Sequence, residues 1–235
     1  MRWFEWTYAR KMDNEQAIKT ISIIGGTGAL GTGLAMRWAR AGYRIVIGSR
    51  DAARAVDVAA RLQAQVGDAS ISGLSNPDAA RAGDIVVMTV PFAHHEATLK
   101  DIRAGLAGKI LVDTTVPLMP PKVARVQLPA EGSAGVRAQQ ILGEDAEVVS
   151  AFQNVAADLV ATDQVPECDV LVAGNKRASR ETVIHLAREA GFQAWHAGPL
   201  ANAAAMEALT SVLIFMNKRY DGSHTGIRIT GIGEQ

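Results

Sequence analysis

Three glycines and two arginines carry most of the chemistry legible in this chain. Gly26, Gly28 and Gly31 are spaced Gly-x-Gly-x-x-Gly at the end of the apolar run Ile21-Ser22-Ile23-Ile24. This spacing suits a pyrophosphate. The first glycine lets the chain turn tightly out of a strand, the second lets backbone approach the phosphates, and the third lets a helix pack close to the sheet. Residues 30–41 supply that helix, through Leu34, Ala35, Trp38 and Ala39. Its free N–H groups and positive dipole end then face the phosphates. The glycine spacing alone is weak, and it gains weight from lying inside a strand-helix-strand unit. A second apolar run, Ile45-Val46-Ile47, stops at Gly48-Ser49-Arg50, with Arg54 one helical turn on. An NAD site places an acid here for the ribose, whereas the 2′-phosphate of NADP needs cations and hydroxyls. Guanidinium meets phosphate through charge-assisted, often bidentate bonds. Ser49, Arg50 and Arg54 therefore favour NADP(H), and Asp51 is read as the start of the next helix, where an acid is favourable.

Ligands of such a fold gather at the carboxyl ends of the strands. Those ends are Thr27, Ser49, Val90-Pro91-Phe92, Thr115-Val116-Pro117 and Gln153-Asn154-Val155. They hold no obvious acid–base pair. His94 and His95 are adjacent, so on a helix they point about 100° apart and make a poor metal pair. A solvated helix start is their plainer reading. Asp113 is the best buried acid, with capping of the following loop as its plainer role. No metal-ligand spacing and no Ser-His-Asp set is present, so neither a metal nor a catalytic side chain is expected. A rim of small, apolar and amide residues suits a flat redox partner laid on nicotinamide. Direct hydride transfer between two rings needs positioning more than a strong acid or base.

The elements that must position these residues alternate along the chain. Strands are expected at 21–24, 45–49, 69–74, 84–90, 109–113, 147–152, 168–173 and 192–196. Helices are expected at 30–41, 52–65, 94–106, 138–142, 178–190 and 200–219, with a short one from Asn76. Residues 123–136 read as a loop near a site. This alternation predicts an α/β, Rossmann-type, doubly wound and mostly parallel sheet with a small C-terminal α/β portion. Residues 1–19, with Trp3, Phe4, Trp6 and Tyr8, read as a peripheral leader; 20–160 form the NADP-binding domain. Residues 161–235 would complete the substrate pocket. Small residues at Ala201, Ala203, Ala204, Ala205 and Ala208 give the last helix a surface for close contact, in the core or across a dimer.

Composition narrows the function classes. Twenty-four basic residues balance 24 acidic ones in a chain of 235, which leaves no basic excess to attract nucleic acid or an anionic membrane. The single cysteine, Cys168, excludes an intrachain disulfide and fits a reducing, cytoplasmic setting. It precedes the run Val170-Leu171-Val172-Ala173 and reads as an inert buried thiol. No apolar run approaches the roughly 20 residues needed to span a bilayer.

The chain also resembles the F-420H2:NADP oxidoreductases, the NADPH-dependent reductases of the deazaflavin coenzyme F-420. The resemblance lies in Gly25-Gly26-Thr27-Gly28-Ala29-Leu30-Gly31, Gly48-Ser49-Arg50, Gly67-Asp68-Ala69-Ser70-Ile71-Ser72-Gly73 and Thr89-Val90-Pro91. It continues through Val148-Val149-Ser150-Ala151, Ala197-Gly198-Pro199-Leu200 with Glu207, Leu209 and Thr210, and Gly226-Ile227-Arg228-Ile229. It implies a dimeric Rossmann-type enzyme and reversible hydride transfer between nicotinamide C4 and deazaflavin C5. By motif, Thr27, Gly28, Ala29 and Leu30 would hold the pyrophosphate, and Ser49, Arg50 and Arg54 the 2′-phosphate. Val90, Phe92, Leu118 and Ala157 would line the nicotinamide, while Gln153, Val155 and Thr225 would border the deazaflavin. The chain departs from the family at Gln153, where His is common. An amide can donate to a ring carbonyl but cannot carry a proton. Two alternatives stay open: an NADPH-dependent reductase of another small substrate, and a non-catalytic NADPH-sensing module.

Overall fold

A computed structural model of the chain describes residues 19–162, 164 and 166–232. The leader expected over residues 1–19 lies outside the described residues apart from Lys19. An eight-stranded sheet runs through the molecule in the order β3-β2-β1-β4-β5-β6-β7-β8. Its strands are β1 (Thr20–Ile24), β2 (Arg44–Ser49), β3 (Ile71–Ser75), β4 (Ile85–Met88), β5 (Lys109–Asp113), β6 (Ala146–Ser150), β7 (Asp169–Gly174) and β8 (Gln193–Gly198). The first six are parallel and follow the 3-2-1-4-5-6 order of dinucleotide-binding folds. Such sheets bind ligands where the strand order reverses, here between β1 and β4.

Both faces of the sheet are covered, which is why β1, β2 and β4 are near-continuous apolar runs. One face packs on α1 (Ala29–Arg40), α2 (Ala52–Val66) and α7 (Arg177–Glu189), burying Ile21, Ile23, Trp38, Ile45, Ile47 and Val183. The other packs on α3 (Asn76–Ala82), α4 (His95–Ile102) and α5 (Ala134–Leu142), burying Ile24, Met88, Leu99, Ile102 and Leu142. Side-chain caps fix several helix starts. Asp51 accepts from the N–H groups of Ala53 and Arg54 at the head of α2, as the sequence predicts. Ser75 accepts from Asp78 at α3 and Ser133 from Val136 at α5.

The structure departs from the sequence reading at several elements. The apolar run expected as a strand to residue 152 ends at Ser150, and Phe152 takes the left-handed φ of 69°. A one-turn helix, α6 (Ala157–Val160), follows. Helix α5 begins at Ala134, four residues earlier than the pattern predicts. Strand β7 pairs antiparallel with β6, and β8 then pairs parallel with β7. The start of β7 thus rises past the end of β6, on the side where the other strands finish.

Two residues of α1 tie this early helix to much later chain. The Arg37 guanidinium donates to the carbonyl oxygens of Leu159, Val160, Thr162, Gln164 and Ala190 at 2.8–3.4 Å. The Trp38 indole, fully buried, donates to the carbonyl of Leu186 at 2.8 Å. Its ring meets Phe152 edge-on, with centroids 6.0 Å apart.

The last helix, α8 (Ala203–Arg219), extends a turn beginning at Leu200. Contrary to the sequence expectation, Leu200–Arg219 is long and apolar enough, by length and composition, to cross a membrane. Averaging over the whole helix outweighs Glu207, Thr210 and Ser211, which interrupt any continuous apolar run.

Candidate functional site

The chain leaves β1 at Gly25, whose φ of +68° favours glycine. A side chain there would also strike Val90 Cγ1, 2.5 Å from its Cβ position. The left-handed step thus falls one residue before the first glycine of the spaced triplet. Gly26 is constrained differently: its Cβ would stand 2.6 Å from the carbonyl oxygen of Ile23. At Gly31 a Cβ would meet Gly26 Cα at 2.7 Å and Thr89 Oγ1 at 2.9 Å, the close helix packing expected. Gly28 contrasts with both. Its nearest neighbour would be the Gly25 carbonyl oxygen at 3.9 Å, so the space in front of it is open. Gly28 is also the N-cap of α1, with no side-chain cap and no acid in the first turn. Thr27, Ala29 and Leu30 flank it. Among the described residues the first N–H groups of α1 have no side-chain acceptor, and they open onto the rim, an arrangement that binds anions. Asn76, buried on α3, accepts from the Gly25 N–H at 3.3 Å and supports the turn from below. The sequence reading saw Asn76 only as a helix start.

At the end of β2, Ser49 is buried and its Oγ accepts from the Asp51 N–H at 3.2 Å. Arg50 and Arg54 are exposed. Neither has a hydrogen-bond or ion-pair partner among the described residues. The Asp51 carboxylate is engaged by the first N–H groups of α2. The electrostatic balance here therefore favours an anion.

The ends of β4, β5 and β6 form the rest of the rim. Val90 is half-buried against Gly25. Phe92 is half-buried, with its ring centroid 5.9 Å from that of His95 and 5.6 Å from the Arg137 guanidinium carbon. Leu118, Val155 and Ala157 are half-buried on the loop after β5 and around the start of α6. The C-terminal tail reaches the same side. His224 lies 4.0 Å from Asp158, and the Thr225 N–H and hydroxyl both go to Asn217 Oδ1. Ile229 N–H and the Trp195 indole hold Asp169 at the foot of the tail. Burial pushes the neighbouring Cys168 thiol up, away from a nucleophile's range.

Gln153 sits beneath this rim. It is buried, and its amide nitrogen donates to the Asp113 carbonyl at 2.9 Å and to Ser150 Oγ at 2.8 Å. Both amide hydrogens are thus turned inward, away from any ring carbonyl above. The strand-end rim read as lacking an acid–base pair has a buried His–Asp pair beneath it, and the solvated helix start holds for His94, which is exposed, but not for His95. His95 is fully buried and its Nε2 lies 2.8 Å from Asp113 Oδ2, itself buried. Asp113 Oδ1 also accepts from the Thr115 N–H, the loop-capping role read from the sequence. The pair was missed because only the fold brings residues 95 and 113 together.

A second buried acid stands nearby. The two oxygens of Glu207, on α8, accept from the N–H groups of Ala134 and Gly135 at the start of α5. Burial pushes its carboxyl up to about 8, with a smaller push from Asp113, against the pull of the two N–H groups. In the unfolded chain the carboxyl ionises near its ordinary 4.5. Between these values the folded state holds the extra proton, so the contribution of Glu207 to stability is greatest below about 4.5 and is lost as pH rises towards 8. Thermal melts from pH 5 to pH 8 should show a falling midpoint, and Glu207→Gln should flatten that slope. An equal slope in both proteins would contradict it.

Concave space elsewhere does not belong to this rim. A cleft of about 810 Å³ is lined by Lys19, Arg40, Tyr43, Arg44 and Ser70, at the amino ends of β1 to β3.

The sequence profile of the family described as "NADP oxidoreductase coenzyme F420-dependent" matches residues 20–117. A Methanothermobacter thermautotrophicus protein named "F420-dependent NADP reductase" is 40% identical over 226 residues, covering 93% of this chain and 97% of its own length. The chain belongs to this family. A Methanocaldococcus jannaschii protein of the same name is 40% identical over 221 residues, covering 90% of this chain and 98% of its own. Among solved structures, a hypothetical protein from Sinorhizobium meliloti superposes with a TM-score of 0.67. At 23% identity, covering 80% of this chain and 88% of that one, it speaks for the fold alone. The family profile spans the glycine turn, Ser49-Arg50 and the end of β4. The full-length relatives extend the match through Gln153 and into the C-terminal elements.

Proposed function

We propose that this chain is an oxidoreductase that transfers a hydride reversibly between NADP(H) and the deazaflavin coenzyme F-420. The observation that carries the reading is similarity to two F420-dependent NADP reductases across nearly the whole of each chain. Geometry supports its nucleotide half. Thr27, Gly28, Ala29 and Leu30 receive the pyrophosphate on the α1 N-terminus, and Ser49, Arg50 and Arg54 receive the 2′-phosphate. Val90, Phe92, Leu118 and Ala157 line the nicotinamide, with Val155 and Thr225 at the deazaflavin and Gln153 supporting them from beneath. Nicotinamide supplies the hydride. The protein's part is to hold two flat rings face to face and exclude water, which needs no catalytic side chain.

Residues 161–235 complete the acceptor side of the pocket, and the acting form is a cytoplasmic homodimer. The α8 surface supports a second copy rather than lipid as its cover. Val212, Phe215 and Met216 stay exposed on it, while Glu207 faces inward to cap α5.

A spectrophotometric assay of NADPH oxidation by pure protein, with and without the deazaflavin, tests the reading. Deazaflavin-dependent oxidation is expected. The inward-turned Gln153 favours one second reading, a reductase of another flat substrate. NADPH binding without deazaflavin reduction would select it.

The 2′-phosphate assignment gives a separate result. Arg50→Ala should weaken NADPH binding by about 1.5–3 kcal/mol, roughly 10- to 150-fold, and leave NADH binding unchanged. Calorimetry with both nucleotides measures the difference. Equal affinities in the unmutated protein would remove the assignment.

A further inference from the structure

Among the described residues, three buried side-chain atoms have no hydrogen-bond partner: His95 Nδ1, Thr115 Oγ1 and Gln153 Oε1. All three belong to residues that bond to Asp113. His95 Nε2 meets its carboxylate, the Thr115 N–H donates to its other oxygen, and the Gln153 amide donates to its carbonyl. These bonds fix the polarity of the unpartnered atoms. A carboxylate oxygen accepts, so His95 Nε2 donates to Asp113, and Nδ1 is the acceptor left over in that tautomer. Gln153 spends both amide hydrogens, which leaves Oε1 as an acceptor too. The Thr115 hydroxyl can act either way. Two acceptors and a hydroxyl, all shut off from solvent, each call for a small partner that can both donate and accept: water.

We infer that Asp113 is a positioning residue, the hub of a hydrated buried cluster that sets the walls of the ring pocket. The inference rests on the hydride-transfer reading above. Each wall connects to the hub by a different route. The loop after β4 connects through His95, on which Phe92 stacks. The loop after β5 connects through Thr115, three residues before Leu118. The loop after β6 connects through Gln153, two residues before Val155. The phosphates bind elsewhere, over the ends of β1 and β2. Hydride transfer depends steeply on the approach of two carbons, and misplacement by about 1 Å can cost about a hundredfold. Loosening the hub therefore slows the chemistry and spares nucleotide affinity.

Asp113→Asn must turn an NH₂ group towards either His95 or the Thr115 N–H, so one of these bonds breaks or the imidazole moves its proton. The expected result is a kcat about 30-fold lower, an NADPH Kd within about threefold of the parent, and changed ¹⁵N shifts for His95. Thr115→Val keeps the backbone bond to Asp113 and removes only the hydroxyl, so it protects the test if the first variant does not fold. It should lower kcat about fivefold at unchanged Kd. In the unmutated protein, ¹⁵N shifts should report hydrogen on Nε2, and high-resolution density should hold a water bonded to at least one of the three atoms. Dry density there, hydrogen on Nδ1, an unchanged kcat in both variants, or a fall in kcat matched by equal loss of NADPH affinity would overturn the inference. Failure of the parent protein to reduce the deazaflavin would instead overturn the hydride-transfer reading, and the water and the His95 shifts would still decide the hub.

Discussion

Gly28→Val is expected to abolish NADPH binding while the protein stays folded. The open space in front of Gly28 is where a pyrophosphate must come within hydrogen-bond reach of the α1 backbone, and a branched side chain would fill it. Within the protein the substitution meets almost nothing, since the nearest atom to the new Cβ is 3.9 Å away. Backbone strain is absent as well, because φ at Gly28 is −84°. The loss should exceed a thousandfold in Kd, roughly 4 kcal/mol, with the melting temperature moving by no more than about 2 °C. Gly31→Ala is the control of opposite kind. Its Cβ would press into Gly26 Cα at 2.7 Å, so it should lower the melting temperature first and affect binding through the distorted turn. Calorimetry and thermal melts on the two variants separate the roles. Normal NADPH binding by Gly28→Val would mean that the turn does not cradle phosphate.

Trp38→Ala should be the most destabilising single truncation in the α1 face of the core. The side chain is fully buried, packs edge-on to Phe152 and satisfies the carbonyl of Leu186. Its removal opens a large cavity and leaves that carbonyl without its indole donor. Truncations of this kind cost about 3–5 kcal/mol, or roughly 6–20 °C in a chain of this size. Trp38→Phe keeps most of the volume and should lose only the hydrogen bond, about 1 kcal/mol. Urea titration should show a lower midpoint at unchanged slope. A Trp38→Ala midpoint equal to that of the parent would contradict the packing account.

The first half of the sheet was legible because its signals are local. Apolar runs marked β1, β2, β4 and β5, and glycine spacing with Asp51 marked the helix starts between them. The direction of β7 was not legible, since Val170-Leu171-Val172-Ala173 reads alike whichever way the strand runs. Helix α6 is a single turn, too short for periodicity to detect. Helix α5 starts among Gly132, Ser133 and Gly135, residues that read as loop until the Ser133 cap and the Glu207 carboxylate are seen together. At the rim, the glycines and Arg50 announced themselves by type and spacing. His95 and Asp113 did not. Their adjacency comes from the register of β4 and β5 and the angle of α4. Gln153 lies on the loop after β6, but no sequence pattern shows that its amide turns inward to the Asp113 carbonyl and Ser150.

The reach of Arg37 bears on how the polypeptide acquires its shape during synthesis. All five carbonyls that receive its guanidinium lie 122–153 residues downstream. Helix α1, whose other end carries the phosphate-binding turn, therefore emerges from a ribosome long before the groups that anchor it exist. Contacts so distant in sequence are slow to form, because the intervening loop must close first. The far end of the helix that carries the turn is thus among the last parts to be anchored, and a nascent chain halted before residue 159 holds none of the five acceptors.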